Sequence, residues 1–146
     1  ESPNQGDGEH WEGIILHSTG GSFTSAINWL LNPLSKASAH FVVSKTGEIR
    51  QLLSLSKVAW HAGKSDWRGK GCANKWTIGI EMEHIDGKEP WPDVQVRAVE
   101  ALCRVLMEKY GIRWHNILGH DDVARPQGRK VDPLYFPWQH FYNRFK

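Results

Sequence analysis

Apolar residues in this chain fall into short, strand-sized runs broken by glycine and proline, with one long stretch at helical spacing. Glu12 to Ser18 carries Ile14, Ile15 and Leu16 in one run, which predicts a buried strand ended by Gly20-Gly21. Ser22 or Thr24 can cap a short helix whose apolar face is Ile27, Leu30 and Leu31, and Pro33 stops it. His40 to Ser44 and Ile49 to Leu53 flank Lys45-Thr46-Gly47-Glu48, a hairpin signal. Ala59 to Lys75 has little periodicity and is rich in Gly, Lys, Trp and Ser, so it reads as a long loop of the kind that often carries function. Trp76 to Glu83 returns to alternation, with Ile78 and Ile80 against Thr77, Gly79 and Glu81. With Asp93 as cap, Val96, Val99, Cys103, Leu106 and Tyr110 step by three and four, predicting a helix closed by Gly111. Ile117-Leu118 is a short strand ending at Gly119-His120, and the proline-marked remainder has room for a final helical turn or two.

Strands alternating with helices, plus a hairpin, predict an α/β fold: one domain with a mixed central sheet flanked by helices. The boundaries expected are a polar lead-in over residues 1–11 and the domain itself over 12–146. At 146 residues the chain buries about 70% of its unfolded surface and needs no staple to fold. Its two cysteines, Cys72 and Cys103, exclude a disulfide scaffold and a four-thiolate zinc finger. A net charge of +2 with the basic residues dispersed argues against a nucleic-acid partner. No apolar run approaches the ~18 residues of a membrane span, so no membrane insertion is expected, and a monomer is. The chain opens on Glu1 rather than Met, so a leader or a longer N-terminal part is expected to have been removed.

The chemistry-bearing residues sit at strand ends, where ligand sites gather in such sheets. His17 closes the first long strand, His120 follows the last, and Asp132 stands twelve residues further on. Two imidazoles and one carboxylate, with a position left for water, is a recurring ligand set of catalytic zinc sites. Glu81 and Glu83 lie near another strand end, and period-two geometry puts both on one face, so alternation does not separate them.

The segments ILHST (15–19), SAHFVVSKTGEI (38–49), AWHAG (59–63), TIGIEME (77–83), GHDDVA (119–124) and GRKVDP (128–133) together resemble the type-2 N-acetylmuramoyl-L-alanine amidase family. That family includes phage amidase lysozymes, AmpD-like enzymes and peptidoglycan recognition proteins. The resemblance covers about Glu12 to Trp138. It implies a hydrolase carrying one zinc ion that cuts the amide between N-acetylmuramic acid and the first L-Ala of the peptidoglycan stem peptide. It carries His17, His120 and Asp132 onto the three zinc ligands, Glu81 onto the acid–base residue and Lys130 onto the lysine at the carbonyl oxygen. AWHAG borders the substrate cleft in the family, so His61 and Trp60 are expected substrate contacts. His40, ahead of an apolar strand, is read as a core or near-site histidine and grouped with them.

Two departures from the lysozyme branch, Ala39 where it has Tyr and Asp132 where it has Cys, put the chain nearer the AmpD/AmiD-like branch. The partner implied is peptidoglycan or a muropeptide. The setting implied is the periplasm, the cell exterior or a phage lysin's site of action, with cytoplasmic recycling as a further possibility. The alternative is a non-catalytic peptidoglycan-recognition module on the same fold. Such modules characteristically lack a zinc ligand, whereas this chain keeps all three.

Overall fold

The computed structural model describes residues 1–8 and 10–146. Five strands make the central sheet: β2 (Gly13–Ser18), β3 (Phe41–Val43), β4 (Ile49–Gln51), β6 (Thr77–Met82) and β7 (Ile117–Gly119). Their spatial order is β4-β3-β6-β2-β7. The β2–β6, β2–β7 and β3–β6 pairs are parallel, and β3–β4 is the antiparallel hairpin expected from its turn residues. The sheet is therefore mixed, as the alternation of elements predicts.

Period two sorts the side chains onto two faces. Ile14 and Leu16 of β2, Phe41 and Val43 of β3, and Ile78, Ile80 and Met82 of β6 all join one cluster. Helix α2 (Asp93–Tyr110) covers that face with Val96, Val99, Cys103 and Leu106, the i, i+3, i+7 stripe legible in the sequence. Gly111, at φ 70°, ends the helix in the left-handed conformation that glycine adopts without strain. Asp93 is the first helical residue rather than the cap, a place taken by Pro92, and its carboxylate pairs instead with Arg97 at 2.8 Å.

The opposite face carries Ile15, which packs with Ala62, Trp67, Ala73 and Val123, and Val42, which packs under α1 (Phe23–Leu30) with Ile27 and Leu30. By the same alternation His17, Gly79 and Glu81 belong to this second face, so the helix-covered core stays apolar while polar chemistry collects on the other side. Helix α3 (His120–Val123) follows β7 directly, and α4 (Trp138–Asn143) packs Phe141 and the Trp138 ring into the first cluster.

Two strands lie outside the sequence expectations. Gln5–Asp7 forms strand β1, antiparallel to β5 (Lys57–Ala59), whose last residue is the first of the expected long loop. The polar lead-in is also pinned: Ser2 Oγ donates to the Leu30 carbonyl at 3.0 Å, and Asn4 Nδ2 donates to the Ala37 carbonyl at 2.9 Å. Both residues are buried with their side-chain donors partnered, which is how such side chains tolerate burial. Among the described residues, no helix is long and apolar enough to cross a membrane.

Candidate active site

The register of the parallel pair β2–β6 sets His17 directly beside Glu81 at the carboxyl ends of both strands. Strand β7 pairs with the other edge of β2 and delivers His120 as the first residue of α3. The start of that helix is fixed by Asp122, whose carboxylate accepts the Gly119 N–H at 2.8 Å. Asp132 returns to the same point on the C-terminal loop, held by a 3.0 Å backbone bond from the Asp121 N–H to its carbonyl. The three side chains converge: one ligating atom from each of His17, His120 and Asp132 lies within 4.8 Å of the others. The Nδ1 atoms of His17 and His120 face the Asp132 carboxylate at 3.7 and 3.1 Å.

The donor set fits a divalent ion. An imidazole ligates through a lone pair, so its proton must sit on the other nitrogen and find an acceptor there. His120 Nε2 lies 3.0 Å from the Ala62 carbonyl and His17 Nε2 lies 2.9 Å from His61 Nδ1, so both Nδ1 lone pairs are free to point at a common cation. Burial, then the neighbouring His61, His120 and Lys130, push the His17 pKa well below its ordinary value, which keeps it in the neutral, ligating form. The Ser18 N–H donates to Asp132 Oδ2 at 3.1 Å and orients the carboxylate.

These residues open into a cavity of about 410 Å³ that Glu81, Lys130, Arg129 and Asp86 also line. Oxygen Oε2 of Glu81 is buried with no hydrogen-bond partner, so one lobe of its carboxylate is unengaged. Burial, and then the charge of Asp132, hold the Glu81 carboxyl well above the usual carboxylate range, with Lys130 opposing. Glu83 is committed elsewhere: Oε2 accepts the Phe23 N–H at 3.0 Å and Oε1 the Lys45 N–H at 2.9 Å. Strand β6 ends at Met82, so the shared face that period two assigns to both glutamates does not extend to Glu83.

The three further expected residues separate. His61 is half-buried at the cavity wall, but its Nδ1 meets His17 and its Nε2 lies 3.3 Å from both the carbonyl and the hydroxyl of Thr77. Burial pushes its pKa down to about 3, with His40 adding to the shift. His40 is fully buried away from the cavity: Nε2 meets the Lys57 carbonyl at 2.8 Å and Nδ1 accepts the Gly79 N–H at 3.1 Å. Trp60 lines a different cavity, of about 590 Å³, together with Val58 and Trp76.

Asp86 and Ser18 are site residues that sequence reasoning did not single out. Asp86 Oδ1 accepts from Ser18 Oγ at 2.7 Å and meets His84 Nδ1 at 3.0 Å, while the His84 ring stacks on Trp91 at 3.6 Å. The signal for them in the sequence is position, since Ser18 follows His17 and Asp86 lies in the loop just beyond the Glu81 strand. Arg129, next to Lys130, carries no motif signal of its own, and its guanidinium bridges the loops by donating to the Ala62 and Lys64 carbonyls at 2.9 and 2.8 Å.

Known proteins share this arrangement of sequence and fold. A family model described as N-acetylmuramoyl-L-alanine amidase matches residues 7–134. The 1,6-anhydro-N-acetylmuramyl-L-alanine amidase AmpD of Haemophilus influenzae is 35% identical over 113 residues, which is 76% of this chain and 60% of that protein. The N-acetylmuramoyl-L-alanine amidase AmiD of Escherichia coli is 32% identical over 142 residues, covering 86% of this chain and 50% of AmiD. This chain thus spans only 50% to 60% of the length of these two relatives. The structure of E. coli AmiD with its substrate anhydro-N-acetylmuramic acid-L-Ala-D-γ-Glu-L-Lys gives a TM-score of 0.82 at 29% identity, over 99% of this chain and 58% of that one. A selenomethionine AmpD crystal structure also gives 0.82, at 27% identity, over 99% of this chain and 92% of that one. With the family model running through most of its length, the chain belongs to the type-2 N-acetylmuramoyl-L-alanine amidase family, in its AmpD/AmiD-like branch.

Proposed function

We propose that this protein is a zinc amidase that hydrolyses the amide between N-acetylmuramic acid and L-Ala of a peptidoglycan-derived substrate. The observation that carries the reading is the convergence of His17, His120 and Asp132 within 4.8 Å in one cavity with the unpartnered Glu81 oxygen. An amide is a poor electrophile with a poor leaving group, so both ends of the reaction need help. The two imidazoles and Asp132 would hold a zinc ion, which would supply Lewis acidity and lower the pKa of water to about 7. Glu81 takes a proton from the attacking water and returns it to the departing nitrogen, a role supported by its free oxygen and by a raised carboxyl pKa that suits it to carry a proton. Lys130, on the cavity rim, faces the negative charge that grows on the carbonyl oxygen; losing such a donor costs roughly 3–4 kcal/mol of transition-state stabilisation. Catalysis is assigned to the chain spanned here because the ligand set and both auxiliary groups lie within it.

The test is to load the protein with zinc and incubate it with soluble anhydro-muropeptides and, separately, with purified sacculi, followed by mass analysis of products. Release of stem peptides with free L-Ala amino termini, lost on chelation and in His120→Ala, is the expected result. Binding of either substrate without cleavage by zinc-loaded protein would establish the recognition-module alternative instead.

A further inference from the structure

We infer that the dipeptide His61-Ala62 is the common support of both ligand histidines, and that His61 is a positioning residue rather than a substrate contact. The inference rests on the metal-centre reading above and extends it to residues that touch no ion.

The geometry is specific. The His61 ring stands perpendicular to that of His17, centroids 5.0 Å apart, with Nδ1 2.9 Å from His17 Nε2. For His17 to ligate through Nδ1 it must carry its proton on Nε2, and His61 Nδ1 is the acceptor that makes that tautomer the favoured one. His61 must then carry its own proton on Nε2, where the Thr77 carbonyl and hydroxyl lie at 3.3 Å to receive it. The chain of donors ends on a strand carbonyl, and neither nitrogen of His61 remains for a ligand. One residue on, the Ala62 carbonyl does the same for His120, at 3.0 Å from its Nε2.

Three further features hold this dipeptide in place. Asn74 Oδ1 accepts both its amide N–H groups, at 3.1 Å from His61 and 2.8 Å from Ala62. Arg129 donates to the Ala62 carbonyl from the far side at 2.9 Å. Gly79 of β6 lies under the His61 ring, and a Cβ there would come within 2.5 Å of His61 Cγ. The glycine of IGIE is thus the space in which the histidine of AWHAG sits, and the two motifs are one device for aiming two imidazoles.

Zinc affinity, measured by competition with a chromophoric chelator, and the His17 tautomer, read from imidazole ¹⁵N shifts, test this without reliance on turnover. His61→Leu removes the acceptor and is expected to weaken zinc about 10–100-fold, the usual effect of losing such a partner. It should also abolish the uniform Nε2–H state of His17. His61→Asn, whose amide oxygen reaches the place of Nδ1, should recover most of the affinity. Gly79→Ala, which keeps the imidazole but evicts it, should lose affinity as His61→Leu does, and it serves as the decisive variant if His61→Leu does not fold. Once saturated with zinc, His61→Leu should show an unchanged KM. Unaltered zinc affinity and His17 tautomer in His61→Leu, or His61→Asn no better than His61→Leu, would overturn the positioning role. A raised KM with zinc affinity intact would return His61 to the substrate contacts. Failure of the unsubstituted protein to bind zinc would overturn the metal-centre reading and this inference with it, a result separable from the others because it appears before any variant is made.

Discussion

Glu81 and Glu83 differ by two positions and by everything that matters for chemistry. One has a buried oxygen with no partner, and the other spends both oxygens on backbone N–H groups. Glu81→Gln is therefore expected to retain zinc affinity and thermal stability while lowering kcat by about 10²–10⁴ in a steady-state assay; a kcat near that of the parent would move the acid–base role to another group. Sequence spacing identifies the pair but not its division of labour, because period two describes a continuing strand and β6 stops between them. The same limit explains the histidines. His17 and His120 are legible as strand-end residues, whereas the difference between His40 and His61 lies in how each meets Gly79: His40 accepts its N–H, and the His61 ring fills the space where a Cβ would stand. Ser18 and Asp86 are illegible for a related reason: each is an ordinary polar residue until the β2 and β6 ends are brought together.

Elements with strong periodicity are readable from the sequence with near-correct bounds: β2, the β3–β4 hairpin, β6 and α2. β1 and β5 are not, since each is three residues long, β1 is polar and glycine-bearing, and their pairing joins segments some fifty residues apart. At this scale Glu83 has its importance. Its carboxylate links the first turn of α1 to Lys45, in the turn of the β3–β4 hairpin, two elements that do not otherwise share a backbone ladder. Glu83→Ala leaves two N–H groups unpaired in partly buried positions, and is expected to lower the unfolding free energy in urea by about 1–3 kcal/mol. Zinc affinity should be unchanged, since neither Phe23 nor Lys45 contacts His17, His120 or Asp132 through these N–H groups.

For the molecule as a whole, buried neutral histidines make stability pH-dependent. Burial lowers the His40 pKa from 6.5 to about 4, with its bond to the Lys57 carbonyl opposing. Between those values the unfolded chain binds a proton that the folded one does not, so the stabilisation is fully present above pH 6.5 and is lost as pH falls toward 4. The loss is on the order of 3 kcal/mol for this residue, and urea titrations across that window should show it, with a shallower dependence in His40→Gln. The three residues proposed to hold zinc come from distant parts of the fold: His17 from β2, His120 and Asp132 from the segment after β7. Their meeting depends on β7 pairing with β2, a contact between segments about a hundred residues apart in the chain. Loosening of that edge strand would part the His17 and His120 rings, whose centroids stand 4.5 Å apart, while leaving the interior strands β2 and β6 in register.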